Sequence, residues 1–186
     1  MASSASLPNI ATLRSLPTND QTASLDLLFE PSPALHTLVL PLLASTTFES
    51  YMDLIDNIHD LLTDLASDST PKNRTALHNI LGSHPRLGAP KVNSAQSAAE
   101  QARLRAGGSE AEAAELAALN AKYEDAFPGL RYVVFVNGRG RPEIMEDMRD
   151  RIARGDFAAE ERAAIQAMCD IAKDRARKLQ GTSPSS

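Results

Sequence analysis

Apolar residues recur along most of this chain with the period of an α-helix. Phe48, Tyr51, Ile55, Ile58, Leu62 and Leu65 follow one another at steps of three and four, which puts them on one face of a helix over 47–66. A second stripe, Ile165, Met168, Cys169, Ala172, Ala176 and Leu179, predicts a final helix over 158–179. Leu116, Leu119, Tyr123 and Phe127 mark the inner side of a helix over 109–126. Shorter stretches predict helices over 18–29, 33–43, 70–81, 94–105 and 142–154. Ser32-Pro33 and Thr70-Pro71 each read as an N-cap followed by proline in the first turn. Gly82, Gly107-Gly108, Pro128-Gly129 and Asn137-Gly138-Arg139-Gly140 read as stops and turns. Between two helices, residues 83–93 hold two prolines and a glycine and cannot continue a helix.

One run breaks the pattern. Residues 131–136, Arg-Tyr-Val-Val-Phe-Val, have the character of a strand, but no equally clear partner strand exists and one strand makes no sheet. The expectation is therefore an all-α protein of about eight helices, with one extended segment near 131–136 laid across them. The chain is 186 residues long, which suits one core. The expected division is a domain over 9–180 between polar, Ser/Pro-rich tails at 1–8 and 181–186. Aromatics are only 4 % and Trp is absent, so Leu, Ile, Val, Met and Ala must fill most of that core.

Charge and cysteine content narrow the function classes. The net charge is −5, and no basic stripe with interleaved aromatics appears, so no nucleic-acid partner is expected. No segment nears the ~20 apolar residues of a membrane span, so no membrane partner is expected either. The single cysteine, Cys169, allows no disulfide within the chain and fits a reducing compartment. The N-terminus lacks the charged and apolar regions of a secretory signal. The C-terminus carries no Ser-Lys-Leu address. The expectation is a cytoplasmic protein, with a peroxisome open as the alternative.

Candidate chemistry gathers around the 83–93 loop. Of His36, His59, His78 and His84, three fall within helices, and none forms a metal motif. His84 stands in the loop before Pro85, which restricts its backbone and suits a pre-positioned acid or base; a surface or capping histidine is the plain alternative. In the next helix Ser97, Glu100 and Gln101 share one face. They offer a hydroxyl, a carboxylate and an amide to a small polar molecule, although Ser-x-x-Glu is also the capping-box pattern. Arg175 borders the apolar stripe of the last helix, where it either snorkels or grips a carboxylate with its fork. Cys169 falls on an apolar face, where a thiol is usually inert. Taken alone, these residues describe a helical domain with a suggestive polar cluster.

Their order and spacing resemble one family, the 2-oxo-4-hydroxy-4-carboxy-5-ureidoimidazoline (OHCU) decarboxylases, over roughly residues 20–179. The motifs are H-P-x-L from His84 to Leu87, S-x-x-E-Q from Ser97 to Gln101, L-N-x-x-Y from Leu119 to Tyr123 and I-x-x-x-R from Ile171 to Arg175. The loops and tails look most like those of fungal members. The resemblance implies an all-α homodimer that converts OHCU into (S)-allantoin and CO2 in uric acid degradation, with no metal or organic cofactor. It puts the catalytic pair at His84 and Glu100. It puts substrate contacts at Pro85, Ser97, Gln101, Tyr132, Val133, Val134, Phe135, Val136 and Arg175. Two positions depart from the family pattern: Arg86 stands where an acidic residue is usual, and Asn137 where a basic one is, with Arg139 two residues on. These leave open a different ureide or purine-derived acid as substrate. A helical adaptor without enzymatic activity is the competing class.

Overall fold

The computed structural model describes residues 6–68, 70–89, 92, 94–105 and 109–180, and of residues 103–105 the backbone alone. Among them lie nine α-helices and no strand: α1 (Ile10–Leu13), α2 (Thr18–Leu28), α3 (Pro33–Ser45), α4 (Tyr51–Ser67), α5 (Pro71–Leu81), α6 (Ala95–Arg105), α7 (Glu110–Ala126), α8 (Arg141–Arg154) and α9 (Phe157–Gln180). The expected tail at 181–186 and the Gly107-Gly108 break lie outside the described residues, as do residues 1–5 of the expected N-terminal tail. Pro8, within that tail's expected range, accepts a hydrogen bond from the Tyr51 hydroxyl at 2.8 Å. No single described helix is long and apolar enough to cross a membrane.

The caps explain the helix starts. Ser32 Oγ accepts from the Leu35 amide, Ser50 Oγ from Asp53 and Thr70 Oγ1 from Asn73, each satisfying a donor that the first turn cannot. Ser109 and Glu112 close a reciprocal capping box. α4 begins at Tyr51, later than the apolar pattern implies, because Ser50 takes the cap. Phe48 therefore lies outside the helix yet still packs against the core. α1 is one turn long, too short to leave a periodic signature.

α4 and α9 pack along each other at the centre, with α2 and α5 also against α9. The inner face of α4 carries Tyr51, Leu54, Ile55, Ile58 and Leu62, all fully buried. Each such side chain contributes about 1.5–3 kcal/mol, so Ile58→Ala is expected to cost about 2–5 kcal/mol. α9 supplies Ala164, Ile165, Met168, Cys169, Ala172 and Ala176 opposite. Burial pushes the Cys169 thiol up to about 12, which keeps it protonated and inert.

The 131–136 run is extended and pairs with no strand among the described residues. Side chains anchor the run. The Tyr132 hydroxyl donates to the Asp147 carboxylate and to the Ile144 carbonyl of α8. Arg139 folds back to donate to the carbonyls of Phe135, at 2.7 Å, and Val136. The run ends where Asn137 and Gly138 both take positive φ, 45° and 79°, a conformation that asparagine and glycine tolerate best.

Candidate active site

The loop after α5 is held from several sides, and each anchor grips its backbone. Gln101 of α6 donates to the Arg86 carbonyl at 3.1 Å and accepts from the Gly88 amide at 3.0 Å. Asn120 of α7 donates to the Leu87 carbonyl at 3.0 Å. Arg131 donates to the His84 carbonyl at 3.3 Å. Gly88 has φ +79°, and a Cβ there would stand 2.8 Å from Leu116, so the loop presses onto α7 where a side chain has no room. The proline-bearing loop is thereby fixed beside the first turns of α6.

α6 starts when Ser94 Oγ accepts from the Ser97 amide at 3.1 Å. Ser94 performs the capping, which frees Ser97 and Glu100, one turn on, from the capping-box role that their spacing allowed. Ser97 is buried and Glu100 is 28 % exposed.

These elements enclose a cavity of about 660 Å³, within the usual range for a small-molecule site. His84 and Pro85 enter it from the loop, and Ser97, Glu100 and Gln101 from α6. Tyr132, Val134, Phe135 and Val136 form its apolar wall. Asn137, Arg139, Arg141 and Lys178 add polar and cationic groups, while Glu112 and Asp174 add acidic ones.

The remaining two expected residues stand elsewhere. Val133 points into the hydrophobic core and is 1 % exposed, because alternate residues of an extended segment face opposite ways. Arg175 is 2 % exposed and is not among the lining residues. Its Nε and Nη2 donate to the two oxygens of Glu100 at 2.8 and 2.9 Å, a side-on fork. Nη2 also meets Glu30 Oε1 at 2.9 Å and Ser97 Oγ at 2.8 Å. Nη1 donates to the carbonyls of Phe29 and Leu28. Burial alone would lower the guanidinium pKa, but Glu100 and Glu30 outweigh it and the net shift is upward. Of the two sequence-level possibilities for Arg175, the carboxylate grip is the one seen, not snorkelling.

Burial and, after it, the positive charge of Arg175 push the His84 imidazole down to about 3. It is therefore uncharged at neutral pH. Tyr132, buried and hydrogen-bonded to Asp147, has its phenol pKa pushed up and stays protonated, so it serves as wall and anchor and not as a base.

Glu30 is the polar residue that the sequence reading passed over. It is buried and accepts from Ser97 Oγ at 2.5 Å and Ser94 Oγ at 3.0 Å. Its signal was an acidic residue directly after Leu27-Leu28-Phe29 and before two prolines. Arg86, the first departure from the family pattern, does not line the cavity. It forms a fork to Glu124 at 2.6 and 2.5 Å on the outer side of the loop. No cluster of His, Cys, Asp and Glu suited to a metal ion occurs among the described residues.

The OHCU decarboxylase family profile matches residues 14–177, most of the chain. The chain belongs to the OHCU decarboxylase family. A crystal structure of (S)-allantoin synthase is similar to it, with a TM-score of 0.61 at 18 % identity over 95 % of this chain. This chain spans 55 % of the length of that one. A likeness at that identity shows a shared fold. No curated protein matches the chain. Within this OHCU decarboxylase domain, the H-P-x-L and S-x-x-E-Q motifs bound one cavity from two sides; Ile171 of I-x-x-x-R also lines it, and Arg175 of that motif grips Glu100. Asn120 of the L-N-x-x-Y motif holds the loop. Tyr123 of that motif donates to the buried Glu160 at 2.8 Å, a structural tie.

Proposed function

We propose that this chain decarboxylates OHCU to (S)-allantoin and CO2, using His84 and Glu100 and no cofactor. The observation that carries this reading is that an uncharged imidazole and a forked carboxylate line one cavity beside an apolar wall.

In OHCU the carboxylate and a hydroxyl share one ring carbon, next to an imine-type carbon. The carbon–carboxylate bond breaks, CO2 leaves, the electron pair flows into the adjoining imine system, and the imine nitrogen takes up a proton from solvent. The substrate thus supplies its own electron sink. The hydroxyl then loses its proton as a carbonyl forms, and a proton is added to the neighbouring carbon. His84 starts neutral, so it accepts the hydroxyl proton and returns it to one face of that carbon. Glu100 engages the substrate's polar edge and fixes its orientation. Val134, Phe135 and Val136 keep water from the reacting face. Arg139 and Arg141 provide positive charge for an anionic substrate, while Lys178 is paired with Asp174. Gln101 is committed to the loop backbone, so its contribution is to hold His84 in place.

The test is a coupled ultraviolet assay with uric acid, urate oxidase and hydroxyisourate hydrolase, followed by circular dichroism. Faster OHCU decay with an excess of (S)-allantoin supports the reading. A folded protein that leaves the decay rate and the racemic outcome unchanged refutes it and favours another ureide acid or an adaptor role. A homodimer is part of the proposal and is checked by sedimentation: a monomer at assay concentration would contradict it.

A further inference from the structure

Glu30 has no role in the scheme above and is not among the residues lining the cavity. Its side chain is 5 % exposed, and carboxylates are almost never so buried without a partner. One oxygen, Oε1, accepts from Ser94 Oγ at 3.0 Å, Ser97 Oγ at 2.5 Å and Arg175 Nη2 at 2.9 Å. Nη2 of Arg175 in turn meets three acceptors: Glu30 Oε1, Ser97 Oγ and Glu100 Oε2. A guanidinium nitrogen of this kind carries two hydrogens. Glu30 and Glu100 therefore compete for the same donor.

The two carboxylates differ in access. Arg175 is 2 % exposed and Glu30 5 %, whereas Glu100 is 28 % exposed and reaches the cavity. Both oxygens of Glu100 are held by Arg175. To engage a substrate, at least one must loosen. A buried guanidinium with no other counter-ion would resist that strongly, because an uncompensated buried charge is costly. Glu30 removes the obstacle, since it keeps its contact to Nη2 when Glu100 lets go.

We propose that Glu30 is a positioning residue for Glu100: a standing counter-ion that keeps Arg175 neutralised and in place while the Glu100 carboxylate turns to the substrate. Ser97 strengthens the arrangement, donating to Glu30 and accepting from Arg175. The inference rests on the decarboxylase reading.

The test compares wild type with Glu30→Gln, which keeps the shape and removes the charge. Arg175 then has Glu100 as its one carboxylate partner and grips it harder. The expected result is a kcat for OHCU lower by about 10–100-fold, the scale of one charged hydrogen bond, with KM within about threefold of wild type. A purely structural role would lower the folded fraction and leave kcat per folded molecule unchanged. That outcome overturns the inference, as does an unchanged kcat. If Glu30→Gln does not fold, Glu30→Asp retains the charge one methylene further back; a smaller loss, again in kcat, is expected, and no loss overturns the inference. An active wild type with unaffected variants removes this inference alone. A wild type that leaves OHCU decay racemic removes the decarboxylase reading and this inference with it.

Discussion

Replacing Arg175 by methionine removes the guanidinium and keeps an apolar stem of similar length beside the α9 stripe. In the native protein Arg175 ties the Phe29 carbonyl at the end of α2, Glu30 just after it, and Ser97 and Glu100 of α6 to α9. Without it Glu30 is a buried anion whose remaining partners are two serine hydroxyls, and the Phe29 carbonyl loses a charged donor. Removing one member of a buried ion pair costs about 3–5 kcal/mol. The figure applies because the pair is 2 % and 5 % exposed; Glu100, at 28 % exposure, recovers solvent contact and adds less. For a chain of this size each kcal/mol lowers Tm by about 2–4 °C, so the expected drop is about 6–20 °C. Urea denaturation of both proteins at pH 7.5 measures this, and a loss under 1 kcal/mol would refute the ion-pair account.

Other expectations are more local. His84 has a folded pKa of about 3 against an ordinary value of 6.5, so below pH 6.5 the unfolded chain binds a proton that the native one refuses. Its contribution to stability is full above pH 6.5 and is lost as pH falls toward 3. Between pH 6 and 4 wild type should lose about 1.4 kcal/mol per pH unit more than His84→Ala; equal slopes in urea titrations would contradict the burial of a neutral imidazole. The same shift places the acidic limb of kcat/KM well below pH 6, and a limb centred at 6.5 would show a solvated His84. Gln101→Met keeps the side-chain volume but releases the Arg86 carbonyl and the Gly88 amide. It should cost about 1–3 kcal/mol and lower kcat/KM about tenfold by loosening the loop; normal turnover would mean that the other anchors suffice. Tyr132→Phe loses the tie to Asp147 and should raise KM more than it lowers kcat, since the ring stays in the wall while its anchor goes. Steady-state kinetics showing the reverse would mean that the hydroxyl has a chemical role.

The helices were legible wherever one face is buried for several turns. The stripes of 47–66 and 158–179 correspond to α4 and α9, the central pair, and the cap-plus-proline signals at Ser32 and Thr70 mark the starts of α3 and α5. The shift of α4 to Tyr51 was not legible because Phe48 is apolar for tertiary reasons and lies outside the helix that the pattern assigned to it. The 131–136 run shows the same conflict of levels: its β-branched and aromatic residues favour extension, Arg139 caps the carbonyls of Phe135 and Val136, and Tyr132 anchors the run to α8 through Asp147. Motif order brought His84, Ser97 and Glu100 to one cavity. What the one-dimensional pattern could not carry was direction. Val133 alternates away from its neighbours, Gln101 turns to the loop backbone, and Arg86 turns outward to Glu124. Glu30 was invisible because its meaning depends on residues 64 or more positions away.

The central claim is that His84 and Glu100 act together on one substrate within one cavity. The direct measurement is stopped-flow turnover of OHCU by wild type, His84→Ala, Glu100→Gln and the double variant, with the handedness of allantoin read in each. Each single change should lower stereoselective turnover by about 10²–10⁴-fold. Groups that act as a unit are strongly non-additive, so the double variant should fall little further than the worse single one. Normal (S)-selective turnover by either single variant, or losses that multiply in the double, would contradict the account.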